Sequence, residues 1–253
     1  MIGTVAESFF YNLAFGVSFF TFLIPTRSTG AGLMKVMSTI SGIALLFGVI
    51  LHLMYAPTSS IQAILSFAAL LSFIFIYVLH TDEKHWSMWL MYALHTLALG
   101  FIFIPFYNGD LKAMAQMMTG SLLLGNITFA MVLGHWYLVT PKLSEKPLLQ
   151  AVMLSWPLLV VKTVLSMFAF FKHADMFKEG TTEGGGYAFN WMMFIMRVGW
   201  GYVVIAIMSY FSWRLVKMRS IQSATGILYA QTFFILVGEI ISIYFFHSFG
   251  ALI

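Results

Sequence analysis

Seven ionisable side chains fall inside long apolar runs: Glu7, His52, His95, His135, Lys162, Arg197 and Glu239. His80 and His247 stand at the ends of such runs. A charge in hydrocarbon is costly, so these groups are expected to face one another or a polar interior. Two kinds of chemistry follow. A buried lysine, arginine and glutamate can bind an anionic or carbonyl-bearing ligand, or pass protons. Imidazoles can ligate haem iron or carry protons.

The elements that must position these groups are set by composition. Of 253 residues, 60% are hydrophobic and 9% charged, and the mean hydropathy is +0.90. A soluble domain carries about 25% charged residues, so the sequence is read as an integral membrane protein. Crossing the hydrocarbon core takes about 20 apolar residues per helix. Eight such segments are expected, over residues 3–25, 33–55, 60–80, 87–106, 113–138, 148–171, 188–213 and 222–249. The fold class is therefore an all-α, polytopic bundle forming one membrane domain over residues 1–253. The first segment has no preceding Lys or Arg, so it reads as a retained helix and not a cleaved leader. The stretch from Lys172 to Tyr187, with Gly184, Gly185 and Gly186, is expected to be the one flexible loop.

Orientation follows from the basic residues. The loops after segments one, three, five and seven hold Arg27, Lys35, Lys84, Lys142, Lys146, Arg214, Lys217 and Arg219, whereas the alternate loops hold Lys112, Lys172 and Lys178. Positive loops stay cytoplasmic, which puts both termini on the non-cytoplasmic side. Short loops favour a bacterial inner membrane.

The chain has no cysteine, which excludes disulfides, thiolate metal sites, iron–sulfur clusters and covalent c-type haem. The sequence has no H-E-x-x-H motif, no G-x-S-x-G elbow and no phosphate-cradling glycine loop. No basic stripe interleaved with aromatics supports nucleic-acid binding.

Counting the helical rise gives depth. Arg197 and Lys162 each lie about 14 Å from the outer end of their segments, Glu239 about 15 Å and His95 about 16 Å. These four form one expected layer, with Asn126 and Gln231 extending it inwards. The histidines also pair by depth: His80 with His135 near one interface, and His52 with His247 near the other. Each pair is a candidate for axial ligation of b-type haem, and quinone is a second candidate cofactor. His85 and His173 read as solvated loop residues.

The stretch Gly134 to Leu143 reads mostly as an interface, with Trp136 and Tyr137 in an aromatic belt, Pro141 ending the helix, and Lys142 anchoring the loop. Only His135 within it suggests ligation. Ser220 or Ser223 is expected to cap the last helix. Arg214, Lys217 and Arg219 suit a lipid phosphate. Met192, Met193 and Met196 read as packing side chains before a copper site.

The leading expectation is an electron-transfer subunit. It has haem ligands His52, His80, His135 and His247, and a proton-handling layer of His95, Lys162, Arg197 and Glu239. The architecture is similar to that of membrane subunits of respiratory enzymes, so such subunits are expected partners beside bilayer lipid. Two other classes compete: a proton- or ion-coupled transporter or channel using the charged layer, and a non-catalytic anchor in which that layer fixes packing only.

Overall fold

The computed structural model describes residues 1–24, 26–56, 58–80, 86–140 and 143–253. Lys84, His85, Pro141 and Lys142 lie outside the described residues, as do Pro25 and Pro57.

Among the described residues there are eight helices long and apolar enough to cross a membrane. They are α1 (Ile2–Phe20, extended by a 3-10 turn at Thr21–Leu23), α2 (Ala31–Tyr55), α3 (Ile61–Leu79) and α4 (Trp86–Phe106). The second half adds α5 (Leu111–Val139), α6 (Lys146–Lys172), α7 (Tyr187–Lys217) and α8 (Ile221–Phe249). A single helical turn, Thr26–Thr29, precedes α2. Large apolar side chains such as Phe101, Phe168 and Ile195 face outward from several helices, the arrangement expected where lipid is the solvent.

The helix ends carry ordinary chemistry. Ser60 accepts a hydrogen bond from the Ala63 amide at the start of α3. Asp110 accepts from the amides of Lys112 and Ala113 at the start of α5. Asp110→Ala is expected to cost about 1 kcal/mol, read as a lowered unfolding temperature in detergent. Ser220 occupies the N-cap of α8, but its hydroxyl bonds Ser223 and caps nothing. Pro157 sits inside α6 and removes one backbone donor there.

α1 is the central strut. It packs against α2, α4, α5 and α8. α5 packs against α1, α6 and α8, while α3 is held by α2 and α4. The core has two tiers along the bundle, one around Phe9, Phe103 and Ile243, the other around Phe20, Leu133 and Val216. Ser248 donates to the Met1 sulfur, so the start of α1 and the end of α8 lie at the same end.

The loop between α6 and α7 differs from expectation. Asn190 pins it: its amide nitrogen donates to the carbonyls of Met176 and Glu183, and its oxygen accepts from Gly185. Trp191 donates to the carbonyl of Phe177. Met176 and Phe177 are buried against α8 in a third apolar cluster. The glycines serve the turns, with positive φ at Gly180, Gly184 and Gly186, and one asparagine supplies the backbone partners that the turns leave over.

Candidate functional site: a buried charged centre

Lys162 of α6, Arg197 of α7 and Glu239 of α8 meet inside the bundle. The Arg197 Nη2 donates to Glu239 Oε1 at 3.0 Å. The Lys162 Nζ lies 3.6 Å from Glu239 Oε2 and donates to the backbone carbonyl of Gln116 at 3.0 Å. Lys162 and Arg197 are 0% exposed and Glu239 is 3% exposed. Such a cluster is poor evidence for stability, because desolvating each ion costs several kcal/mol. Two cations face one carboxylate. The Nε and Nη1 of Arg197 have no hydrogen-bond acceptor among the described residues.

The helices present these groups in rows. Gln116 and Gly120 are one turn apart on α5, as are Lys162 and Ser166 on α6, so each pair shares a face. Gly120 makes room: a Cβ there would stand 2.2 Å from Glu239 Oε2 and 3.0 Å from Lys162 Nζ. Gly201 and Gly238 bring α7 and α8 together beside the guanidinium, since a Cβ on Gly238 would meet the Gly201 Cα at 2.7 Å.

α7 departs from α-helical geometry at this level. Residues Gly199–Val204 form a π-helix. Positions five apart in an α-helix point in different directions, but widening the turn to i→i+5 aligns them. Arg197 therefore stacks on Tyr202, with its guanidinium carbon 4.4 Å from the ring centroid. The Tyr202 hydroxyl bonds Ser166 at 2.5 Å, and Ser166 accepts from the Gln116 side chain at 2.9 Å. The same amide donates to the backbone carbonyl of Leu252.

A neutral polar track runs beside the centre. Ser121, next to Gly120, donates to Asn12 Oδ1 at 2.6 Å. Asn12 reaches Ser8 at 3.5 Å, and Ser8 bonds Tyr107 at 2.9 Å. Glu7, adjacent on α1, accepts from His52 Nδ1 at 2.8 Å and from Gln62 at 2.7 Å.

His95 is not part of the charged centre. It is buried between α2, α3 and α4, with Nε2 3.3 Å from Ser41 and Nδ1 3.0 Å from Ser72 and 3.1 Å from the Ala69 carbonyl. Asn126 and Gln231 also go elsewhere, as interhelical ties to Ser155 and Ser209. Neither proposed axial pair is joined by a contact among the described residues. His52 has both ring nitrogens engaged, by Glu7 and by Ser60. His80 meets Tyr92 and His135 meets Tyr229. His247 lies edge-on to Phe106 and Phe246. Each of these four histidines bonds or packs against a protein group on its own or a neighbouring helix.

At the other end, Trp136 donates to the Thr29 carbonyl, and Tyr137 donates to the Ser144 carbonyl. Lys217 lies over the Trp213 ring, and Arg219 pairs with Glu145 at 3.2 Å. The Glu145 carboxyl is held below its usual range by its own backbone amide first and by Arg219 second. A surface cavity of about 620 Å³ adjoins this pair.

The fold and site define a polytopic helical bundle built around a buried three-charge centre. Residues 106–219 match a family described as a domain of unknown function, DUF7702. The matched stretch covers α5, α6 and α7, and so includes Gln116, Lys162 and Arg197 but not Glu239. No curated protein matches the chain. No solved structure matches it.

Proposed function

We propose that the protein is a proton- or ion-coupled membrane transporter, with Lys162, Arg197 and Glu239 as its solute- and proton-binding centre. The observation that carries this reading is the centre itself: three helices bury two cations against one carboxylate, next to a π-helical stretch. Buried charges in membrane spans mark ion and proton pathways, and π-bulges recur at functional sites. The surplus positive charge favours an anionic or carbonyl-bearing solute. Glu239 would be the group that takes up and releases the proton. Lys35, Lys146, Arg214, Lys217 and Arg219 mark the end that we read as cytoplasmic.

The test is reconstitution into liposomes with an internal pH-sensitive dye and an imposed potassium diffusion potential. Wild-type protein is expected to pass protons, and Glu239→Gln to do so at least about tenfold more slowly. Equal flux in the two, in protein of equal thermal stability, rejects the reading. If the pure protein from haem-replete cells shows Soret and α bands on reduction, the electron-transfer class takes its place.

A further inference from the structure

The seam between α6 and α7 is open on the membrane side. Both halves of α7 pack on α8; α6 packs along the Ile205–Lys217 half and meets the Tyr187–Val198 half through Phe170, stacked on Phe194. Two clefts result. One, of about 250 Å³, is lined by Thr163, Ser166, Phe170, Phe194, Tyr202 and Ile253 among others. The second, of about 330 Å³, is lined by Trp156, Val160, Thr163, Tyr202 and Val203 among others. They meet at Thr163 and Tyr202. Exposed Val160, Met167, Phe171 and Val203 form the rim, so the way in is through lipid and not through water.

The inner wall of this seam is the Ser166–Tyr202 hydrogen bond. Behind it lies the charged centre, with Arg197 against the Tyr202 ring. The segment after α8 shows what chemistry the wall accepts. Gly250 turns left-handed at φ 67°, and the chain folds back. The carbonyl of Leu252 takes a hydrogen bond from Gln116 at 2.8 Å, that of Ile253 takes one from Ser242, and the Ile253 side chain is fully buried at the first cleft. A carbonyl oxygen at the polar wall and a branched alkyl group in the cleft together imitate an acyl compound.

We propose that this seam binds a long-chain carboxylate. Its alkyl chain lies in the two clefts, and its head displaces residues 251–253 to reach Gln116, the Ser166–Tyr202 pair and the two cations behind them. The carboxylate is chosen because the three-charge centre holds one more cation than anions, and the single chain because the two clefts share Thr163 and Tyr202. This names the substrate class for the proposed transporter and rests on that reading of the centre as a binding site.

The experiment uses the full chain in phosphatidylcholine nanodiscs, with dibromostearate as a quencher of tryptophan fluorescence. Trp156 lines the seam, so a saturable component of quenching is expected that disappears in Trp156→Phe. Unlabelled oleate should compete for it, and oleyl alcohol should not. Thr163→Phe fills both clefts from the lipid side without touching the charges, and should weaken binding about tenfold at unchanged thermal stability. Ile253→Gly should tighten it. Quenching that rises linearly with added lipid and ignores Thr163→Phe overturns the site. Equal competition by oleyl alcohol overturns the carboxylate. Saturable, oleate-specific binding by protein that passes no protons retains this site and removes only transport; proton flux without such binding overturns the site.

Discussion

Glu239→Ala is expected to be the most destabilising single change in the charged centre. It leaves Lys162 and Arg197, both 0% exposed, without the carboxylate that each of them faces. Removing one partner of a buried pair costs about 3–5 kcal/mol, most of it the penalty of an uncompensated buried charge. No solvent screening reduces that figure here. The measurement is a denaturant or thermal unfolding curve in detergent. A second variant separates the pairing from the packing: Lys162→Met, Arg197→Met and Glu239→Leu together remove every charge and keep the volume. Replacing a whole buried ionic cluster by apolar side chains is often neutral or stabilising, so the triple variant is expected to regain most of the loss. It should nevertheless pass no protons. A triple variant as unstable as Glu239→Ala alone would instead mean that the Arg197–Tyr202 stack and the Ser166 and Gln116 bonds hold these helices together.

The contrast between His95 and Glu239 shows how far the sequence could be read. Both are buried at similar counted depths, and depth is what a rise of about 1.5 Å per residue provides. Depth is one coordinate. The direction in which a side chain leaves its helix, and which helix stands opposite, are two more, and composition carries neither. Glu239 faces α6 and α7, while His95 faces serines of α2 and α3. The histidine pairs rest on the same single coordinate. In the structure each imidazole bonds or packs against a hydroxyl, a carboxylate or an aromatic ring.

The spans themselves were legible because their signal is one-dimensional. Long apolar runs separated by Pro, Gly and charged residues give α1 to α8 with ends displaced by only a few residues. Within the site, Gln116 and Gly120 were readable in principle from their one-turn spacing. Tyr202 was not, because its place beside Arg197 depends on a π-helical stretch that no spacing rule for an α-helix anticipates. The partner of Glu7 was equally hidden. Glu7, His52 and Gln62 come from three helices, and only the α1–α2–α3 packing brings them together.

Gly125→Val is expected to have the largest effect among changes that touch no charge. At the crossing of α1 and α5, a Cβ on Gly125 would lie 2.2 Å from the Gly16 carbonyl carbon and 2.5 Å from its Cα. From the other side, a Cβ on Gly16 would lie 2.0 Å from the Ser121 backbone oxygen. These neighbours are backbone atoms, so no side-chain tip can swing aside, and the two helices must separate. Small residues at such crossings are what allows close helix packing in a membrane. Overpacking a tight core typically costs about 1–3 kcal/mol, and this site belongs at or above about 3 kcal/mol because α1 also packs against α2, α4 and α8. Separation at Gly125 also pulls on the Ser121–Asn12 bond and moves Gly120 away from Glu239. Proton flux should therefore fall together with stability. Gly226→Ala supplies the control. It lies inside α8 with nothing within 4 Å of its added Cβ. There alanine only restricts the backbone, which favours the helix by about 0.5–1 kcal/mol. Opposite shifts of the two variants in unfolding temperature are expected. A Gly125→Val protein as stable as wild type would mean that α1 and α5 do not meet at Gly16, and the central position of α1 would go with it.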